Sequence, residues 1–210
     1  MMIDVKNAGL AVDGQVLLDD VSLAVDKGAC HVLLGENGSG KTTLLDCIRG
    51  ARRLTSGAIR VLGEDAAALP WSLRRRFNSV LAPSAFPFNL RVKEICRLYS
   101  SIYGVSRYPL QQLAELFCLT DIMDKKWSVL SSGQKQRLSL GLSQLGNPEL
   151  ILLDEPFTNL DDESSLVTKH CLQKCKSDGI TLVIATHDTR YIDDLIDRTS
   201  VMTKGSIKYC

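Results

Sequence analysis

A chain of 210 residues, 45% hydrophobic and 23% charged, has the composition of a folded globular domain, which excludes an intrinsically disordered chain. The formal net charge of +1 gives no overall attraction to nucleic acid, so we predict no nucleic-acid partner. No apolar run reaches the about 20 residues that a membrane helix needs. We therefore expect any role at a membrane to depend on another chain.

The first sixty residues carry the pattern of antiparallel strands. Residues 3–5 and 16–25 alternate apolar and polar side chains, which indicates strands with one solvated face. Asp13-Gly14 between them predicts a tight turn. Residues 56–63 read as another turn and strand. These strands predict a small β-layer beside the rest of the fold.

Residues 35–43 fit the phosphate-loop pattern G-x-x-x-x-G-K-[ST], with a predicted buried strand before them and a predicted helix after them. The glycines let backbone N–H groups converge on phosphate oxygens, and the helix N-terminus adds a positive dipole end. Lys41 is expected to neutralise phosphates, and the Thr42 hydroxyl to bind Mg²⁺. The predicted nucleotide-binding residues are Gly35, Glu36, Asn37, Gly38, Ser39, Gly40, Lys41, Thr42 and Thr43.

The middle of the chain predicts a helical insertion. Residues 77–81 read as a short strand, and two prolines follow. From Val92 to about residue 128 the apolar spacing is helical, with a break at residues 106–109. We interpret residues 85–130 as helices inserted between strands of the core.

An α/β pattern returns in the last third of the chain. Residues 150–153 and 180–185 are unbroken apolar runs, typical of parallel strands covered on both faces, and residues 163–176 predict the crossover helix. Asp154 and Glu155 end the first of these strands, where ligands bind in doubly wound sheets. We expect Asp154 to join Thr42 at Mg²⁺, and Glu155 to orient or deprotonate an attacking water.

The segment Leu130-Ser131-Ser132-Gly133-Gln134 differs at one position from L-S-G-G-Q, the signature loop of ATP-binding cassette (ABC) proteins, because Ser132 replaces the first glycine. A helix is predicted over residues 135–145, so this loop would lie at a helix N-terminus. Together with the two motifs above, in the same order, the chain resembles the nucleotide-binding subunit of ABC transporters over nearly its whole length. The exporter branch that handles drugs, lipids or polysaccharides is the most similar.

The resemblance implies further site residues and partners. Asp161 would belong to the D-loop, and His187 would be the switch histidine that contacts the γ-phosphate; the expected catalytic residues are then Glu155, His187 and Lys41. ATP and Mg²⁺ are the implied cofactors. The signature residues Ser131, Ser132, Gly133 and Gln134 would complete the phosphate site of a second subunit, in a homodimer or heterodimer. A transmembrane permease subunit would hold the chain at the cytoplasmic face of the cell membrane.

The resemblance also implies a fold: an α/β P-loop NTPase core of the ABC type, with an N-terminal antiparallel β-layer and an inserted α-helical subdomain. In a single domain over residues 1–210, residues 1–84 and 131–210 would form the core with its β-layer. Residues 85–130 would form the helical subdomain.

Two positions depart from the family's pattern. The aromatic residue that stacks on adenine is replaced by Val12, which would cost about 1–3 kcal/mol of binding free energy. The Q-loop glutamine falls on Ala82, with Ser84 as the other alignment.

We expect an ATP-hydrolysing subunit that energises transport through a separate membrane subunit. Two alternatives stay open: a soluble ABC-type ATPase of an assembly machine, and a nucleotide-binding regulatory subunit with weak hydrolysis.

Overall fold

A computed structural model describes residues 1–81, 86, 89–104 and 108–208. Both candidates for the Q-loop position, Ala82 and Ser84, lie outside the described residues. The β-strands of the described residues are β1 (Ile3–Val12), β2 (Gln15–Val25), β3 (Cys30–Leu34), β4 (Ser56–Val61), β5 (Glu64–Asp65), β6 (Phe77–Val80), β7 (Leu150–Asp154), β8 (Thr181–Thr186), β9 (Arg198–Thr203) and β10 (Ser206–Lys208). The α-helices are α1 (Lys41–Ile48), α2 (Trp71–Arg74), α3 (Val92–Tyr103), α4 (Leu110–Leu116), α5 (Ser132–Ser143) and α6 (Asp162–Ser177).

The N-terminal strands form the predicted antiparallel layer. Its strand order is β2-β1-β4-β5. Asp13 and Gly14 both have positive φ, 50° and 81°, as a two-residue type I′ hairpin requires, and Val12 pairs with Gln15 across the turn. Alternate residues of β1 are buried, which matches the apolar alternation in its sequence.

A second sheet of six strands has the order β10-β9-β3-β8-β7-β6. Five of its strands are parallel, and β10 returns antiparallel to β9. In register, Leu34 lies opposite Thr186 and Asp154 lies opposite Ala185. The carboxyl ends of β3, β7 and β8 therefore meet at one edge of the sheet, and the loops that leave them are neighbours.

The central strands of this sheet are covered on both faces, as their unbroken apolar runs predict. Side chains of β7 alternate between two hydrophobic clusters. Leu150 and Leu152 pack with the β-layer and α1, whereas Ile151 and Leu153 pack with the helices on the opposite face. Parallel strands fixed on both sides in this way give the site at their ends a rigid support.

The structure corrects three expectations. The helical spacing predicted to about residue 128 ends with α4 at Leu116; Cys118 takes a positive φ of 51°, and two 3₁₀ turns follow at Thr120–Ile122 and Trp127–Val129. The helix predicted from residue 135 begins at Ser132, because Ser131 caps it. Strands β9 and β10 were not predicted. The division of the chain into a core and a helical subdomain stays a prediction.

In the described part of the chain, no helix combines the length and the apolar character required to cross a bilayer.

Candidate nucleotide site

The phosphate loop lies between β3 and α1, and its backbone leaves the start of α1 open. Gly40 is the N-cap of α1 with a φ of 104°, and no side chain caps this helix. A non-glycine residue rarely adopts that φ. The N–H groups of the first helical turn therefore point into the site without a side-chain acceptor, which is the arrangement that binds anions at helix N-termini.

The loop is held from outside by the β9–β10 turn. The Gly205 N–H donates to the Ser39 carbonyl at 2.9 Å, and the Gly205 carbonyl accepts from the Asp19 N–H at 2.9 Å. A side chain at Gly35 would not fit, because its Cβ would lie 2.5 Å from the Met202 carbonyl oxygen. The second sheet and the β-layer thus both fix the phosphate loop.

Lys41, the first residue of α1, is buried and turned toward its own loop. Its ammonium donates to the carbonyls of Gly35 at 2.6 Å and Glu36 at 3.1 Å. The same nitrogen lies 3.4 Å from Glu155 Oε1. A buried lysine with three oxygen contacts at the end of a sheet is a fixed positive charge beside the open helix N-terminus.

Thr42 and Asp154 form the predicted metal pair. The Thr42 hydroxyl donates to Asp154 Oδ2 at 2.6 Å, while the buried Oδ1 has no hydrogen-bond partner among the described residues. Burial raises the pKa of Asp154, and the nearby Glu155 carboxylate raises it further against the opposing effect of the Thr42 hydrogen bond. A carboxylate oxygen left unpaired beside a hydroxyl fits a hard divalent cation such as Mg²⁺.

Glu155 lies at the centre of the site. Its Oε2 contacts His187 Nδ1 at 2.8 Å, and accepts hydrogen bonds from the hydroxyls of Thr186 at 3.3 Å and Thr158 at 3.4 Å. The backbone of Glu155 has a φ of 47°, which is an unfavourable value for a glutamate. The hydrogen bond from the Glu155 N–H to the Ala185 carbonyl helps to hold this conformation. The three expected catalytic residues, Lys41, Glu155 and His187, are therefore in contact through one carboxylate.

A cavity of about 510 Å³ extends from Asp154 and Glu155 along the start of α1. This volume falls within the range of small-molecule sites. Its far end is lined by residues that the sequence analysis missed, which are Gln15, Val16, Leu17, Lys204 and Gly205. Val12, the predicted position of the adenine contact, is 41% exposed and does not line the cavity, whereas Val16 does.

The signature segment forms a separate surface. Ser131 is the N-cap of α5 and makes a capping box with Gln134: the Gln134 N–H donates to the Ser131 hydroxyl at 3.3 Å, and the Ser131 N–H donates to Gln134 Oε1 at 3.2 Å. None of the four signature residues lines the cavity at the phosphate loop. Asp161 of the predicted D-loop caps α6 by accepting the Ser164 N–H at 2.7 Å.

The sequence profile of the family described as "ABC transporter" matches residues 18–158, which include the phosphate loop, the signature segment and the Asp154–Glu155 pair. The chain belongs to the ABC transporter family. It is an ATP-binding and ATP-hydrolysing subunit of an ABC transporter, with the α/β fold of that family.

Individual relatives of this ABC ATPase cover nearly all of it. The methionine import ATP-binding protein MetN of Clostridium acetobutylicum is 32% identical over 216 residues, which cover 99% of this chain and 68% of that protein. A solved ATP-binding subunit of an ABC transporter superposes with a TM-score of 0.88 at 27% identity, over 99% of this chain and 88% of that one. A bacterial ABC transporter cassette solved as a dimer gives 0.85 at 23% identity, over 99% and 97%, and this likeness shows the fold.

Proposed function

We propose that this ABC ATPase hydrolyses ATP in the cavity at the phosphate loop, as one half of a two-chain site, and that hydrolysis drives transport through a separate membrane subunit. The observation that carries the proposal is the contact of Lys41, Glu155 and His187 at the carboxyl ends of β3, β7 and β8. A cation, a carboxylate and an imidazole beside an open helix N-terminus provide the groups that phosphoryl transfer to water needs.

In this mechanism the triphosphate binds along the first turn of α1, whose N–H groups donate hydrogen bonds to the phosphate oxygens. Lys41 then exchanges its carbonyl contacts for phosphate oxygens and neutralises charge that develops on them. Thr42 and Asp154 would hold Mg²⁺, which supplies positive charge at the phosphate oxygens when bound. The residues Gly35–Thr43 position the phosphates.

Glu155 acts on the attacking water. Its Oε2 is held by His187, Thr186 and Thr158, so Oε1 is the atom that accepts the proton of the water. Oε1 is buried and makes no hydrogen bond in the described part of the chain, and the Lys41 ammonium, 3.4 Å away, turns from it to the phosphates in this mechanism. His187 keeps the carboxylate in place and lies beside it for contact with the γ-phosphate.

The remaining half of the site comes from a second chain. The capped signature helix at Ser131–Gln134 does not line its own cavity, which leaves it available to a triphosphate held by a second chain. A bacterial cassette of similar fold has been solved as a dimer. Homodimer and heterodimer both satisfy this geometry. A permease would place the chain at the cytoplasmic face of the membrane. The exporter branch stays a prediction from the resemblance, and MetN is an import protein by name.

One observation favours a second role, a nucleotide-binding regulatory subunit with weak hydrolysis. The base end of the cavity is aliphatic and polar, lined by Gln15, Val16 and Leu17, and Val12 replaces the expected aromatic residue. A weakly held base would shorten the time that ATP stays bound. The contacts of Glu155 favour hydrolysis over this alternative.

The test is the dimerisation of Glu155→Gln, which removes the proton acceptor and leaves the side-chain shape. Size-exclusion chromatography with light scattering should give a dimer with Mg-ATP and a monomer without nucleotide, and the variant should not hydrolyse ATP. Glu115→Gln changes an exposed glutamate of α4 in the same way and should behave as the unmodified chain does. If Glu155→Gln, measured without any partner chain, is a monomer under every condition, the homodimer is contradicted. If the unmodified chain has no ATPase activity, the regulatory role is favoured.

A further inference from the structure

Ser132 replaces the first glycine of the family's signature pattern, and its hydroxyl makes a contact that glycine cannot make. Ser132 Oγ donates a hydrogen bond to the backbone carbonyl of Asn159 at 2.9 Å. This bond joins the first residue of α5 to the predicted D-loop of the same chain. A serine at the first turn of a helix usually serves that helix, but this one bonds to another segment, 27 positions away.

The hydrogen bond is accepted by a segment that begins at Glu155, the proposed base. Between Glu155 and Leu160 the backbone is closed by two hydrogen bonds: the Thr158 N–H donates to the Glu155 carbonyl at 3.1 Å, and the Leu160 N–H donates to the Phe157 carbonyl at 3.3 Å. Glu155 and Asn159 both have positive φ, 47° and 61°. The path from Glu155 to Asn159 is therefore compact.

The start of α5 is also packed on the start of α6, next to the predicted D-loop. A Cβ placed on Gly133 would lie 2.2 Å from Ser164 Oγ, which shows how closely the two helices approach. Ser164 is in turn bonded to Asp161 through the cap of α6. The Ser132–Asn159 bond adds a further contact, between the start of α5 and the segment that follows Glu155.

We infer that Ser132 is a positioning residue that couples the signature helix of one chain to Glu155 of the same chain. The inference rests on the proposed function, in which the signature helix binds the triphosphate held by the partner chain. When that helix engages, the bond to Asn159 fixes the segment from Glu155 to Asn159 and with it the carboxylate that activates water.

Three variants separate the hydroxyl from the side-chain volume. Ser132→Ala and Ser132→Gly both remove the donor, while the backbone N–H groups that face the partner's phosphates remain. A single hydrogen bond changes a rate by about 3- to 10-fold, so we expect kcat for ATP to fall by about that factor and KM to change by less than about 2-fold. Ser132→Thr keeps the hydroxyl and should retain the kcat of the unmodified chain.

The matched control is Ser177→Ala. Ser177 Oγ also donates to a backbone carbonyl, that of Lys174 at 2.8 Å, but at the far end of α6. Its kcat should stay unchanged. Amide hydrogen exchange of Thr158 and Leu160, measured in the ATP-bound dimer of Glu155→Gln, should become about 3- to 10-fold faster when Ser132→Ala is added. Unaltered exchange would show that the bond does not hold this segment, and would contradict the inference.

The outcomes are distinct. If the unmodified chain hydrolyses ATP and Ser132→Ala has the same kcat, the coupling is wrong while the proposed function stands. Faster exchange with unchanged kcat also overturns it, because the segment would then loosen without effect on Glu155. Equal losses of kcat and thermal stability in Ser132→Ala and Ser132→Thr would show a folding defect instead of coupling, and would contradict the inference. If the unmodified chain neither hydrolyses ATP nor dimerises, the proposed function itself fails.

Discussion

Helices α1 and α5 are both expected to hold phosphate at their N-termini, and they begin in opposite ways. The first turn of α1 follows Gly40 and has no side-chain cap. The first turn of α5 follows Ser131 and is closed by a reciprocal capping box with Gln134. One helix therefore offers its free N–H groups to a ligand, whereas the other has satisfied part of its own before any ligand arrives.

The side chains around the two helices show the same contrast. Among the described residues, three buried oxygens without a hydrogen-bond partner lie near the phosphate loop: Ser39 Oγ, Asp154 Oδ1 and Glu155 Oε1. Two others, Ser139 Oγ and Thr168 Oγ1, lie in the middle of α5 and α6, away from the helix N-termini. At α5, the hydroxyls of Ser131 and Ser132 are both bonded within the described chain. Unsatisfied buried polar groups are costly and mark the place where a ligand restores them. The phosphate-loop half of the site, around the start of α1, thus has polar groups free to bind nucleotide. In the signature half, at the start of α5, the serine hydroxyls are already bonded within the chain before a second chain binds.

The largest expected effect concerns the phosphate-loop half of the site. Lys41→Ala removes the buried cation that contacts Glu155 Oε1 and two loop carbonyls. Because this charge is placed where phosphate charge develops, we expect ATP hydrolysis to fall by about 100- to 1,000-fold, measured as phosphate release at saturating ATP. Lys208→Ala changes an exposed lysine of β10 and should have no effect. Hydrolysis within about 3-fold of the unmodified chain would remove Lys41 from the mechanism.

The second prediction concerns acid and the strand that carries the phosphate loop. His31 of β3 is buried against Ser200 of β9, with its Nε2 3.0 Å from the Ser200 hydroxyl. Burial, with the nearby Arg198 charge, lowers the pKa of His31 from 6.5 to about 4. The folded chain then binds a proton less readily than the unfolded chain does, so stability present above pH 6.5 is lost as the pH falls toward 4, by about 3 kcal/mol.

Urea unfolding between pH 7.5 and 4 checks this prediction. His31→Gln should be less stable than the unmodified chain at pH 7.5 but should lose less of its stability on acidification, and the difference between the two curves isolates the histidine. His170→Gln, at an exposed position of α6, should keep the full loss. Equal losses in all three chains would mean that His31 does not set the acid sensitivity of the phosphate-loop half.

A third prediction concerns the end of the cavity where we propose that the base binds, and where the aromatic residue of the family's pattern is missing. Val12→Tyr restores the aromatic residue of the family's pattern beside the strand that contributes Val16 to the cavity. A base–aromatic stack is worth about 1–3 kcal/mol, so we expect ATP to bind about 10-fold more tightly in calorimetric titration of the isolated chain. Val12→Leu adds volume without a ring and should leave the affinity near its original value. Unchanged affinity in Val12→Tyr would place the base away from Val12.

The smallest expected effect concerns the signature half, where α5 is capped by its own side chains. Ser131→Ala removes the cap of α5 and should cost about 1 kcal/mol of folding free energy, or about 2–4 °C in Tm for a chain of this size. The affinity of the isolated monomer for ATP should stay the same, because α5 does not line the monomer's cavity. A large loss of monomer affinity at unchanged Tm would show that the two halves are not separate in a single chain.

The sequence predicted the elements whose signals are local. A glycine-rich turn between β3 and α1, the Asp13-Gly14 hairpin and the apolar runs of β7 and β8 all appear where they were predicted. Strands β9 and β10 were missed, although Lys204 and Gly205 form a two-residue turn between them with positive φ values of 46° and 82°. Arg198–Thr203 is short and mostly polar, and becomes a strand by pairing with β3, far away in sequence.

The same distinction holds for the site. Phosphate loop, acidic pair and signature segment were found as motifs, each within a few residues. The contacts of Glu155 with Lys41 and His187 depend on the register of three strands, which no motif encodes. Lys204 and Val16 reach the cavity only through the packing of the β9–β10 turn on β2, and Ser132 was assigned to the partner's site alone because its bond to Asn159 is a tertiary contact.

The turn between β9 and β10 has a consequence for how the protein is made. Gly205 supports the phosphate loop through Ser39, and the Ser206 hydroxyl bonds to the Asp19 carbonyl, 187 positions earlier in the chain. During translation the phosphate loop leaves the ribosome well before the β9–β10 turn that supports it. A nascent chain therefore carries an incomplete nucleotide site until Gly205 has emerged, and ATP can stabilise the site only from then on.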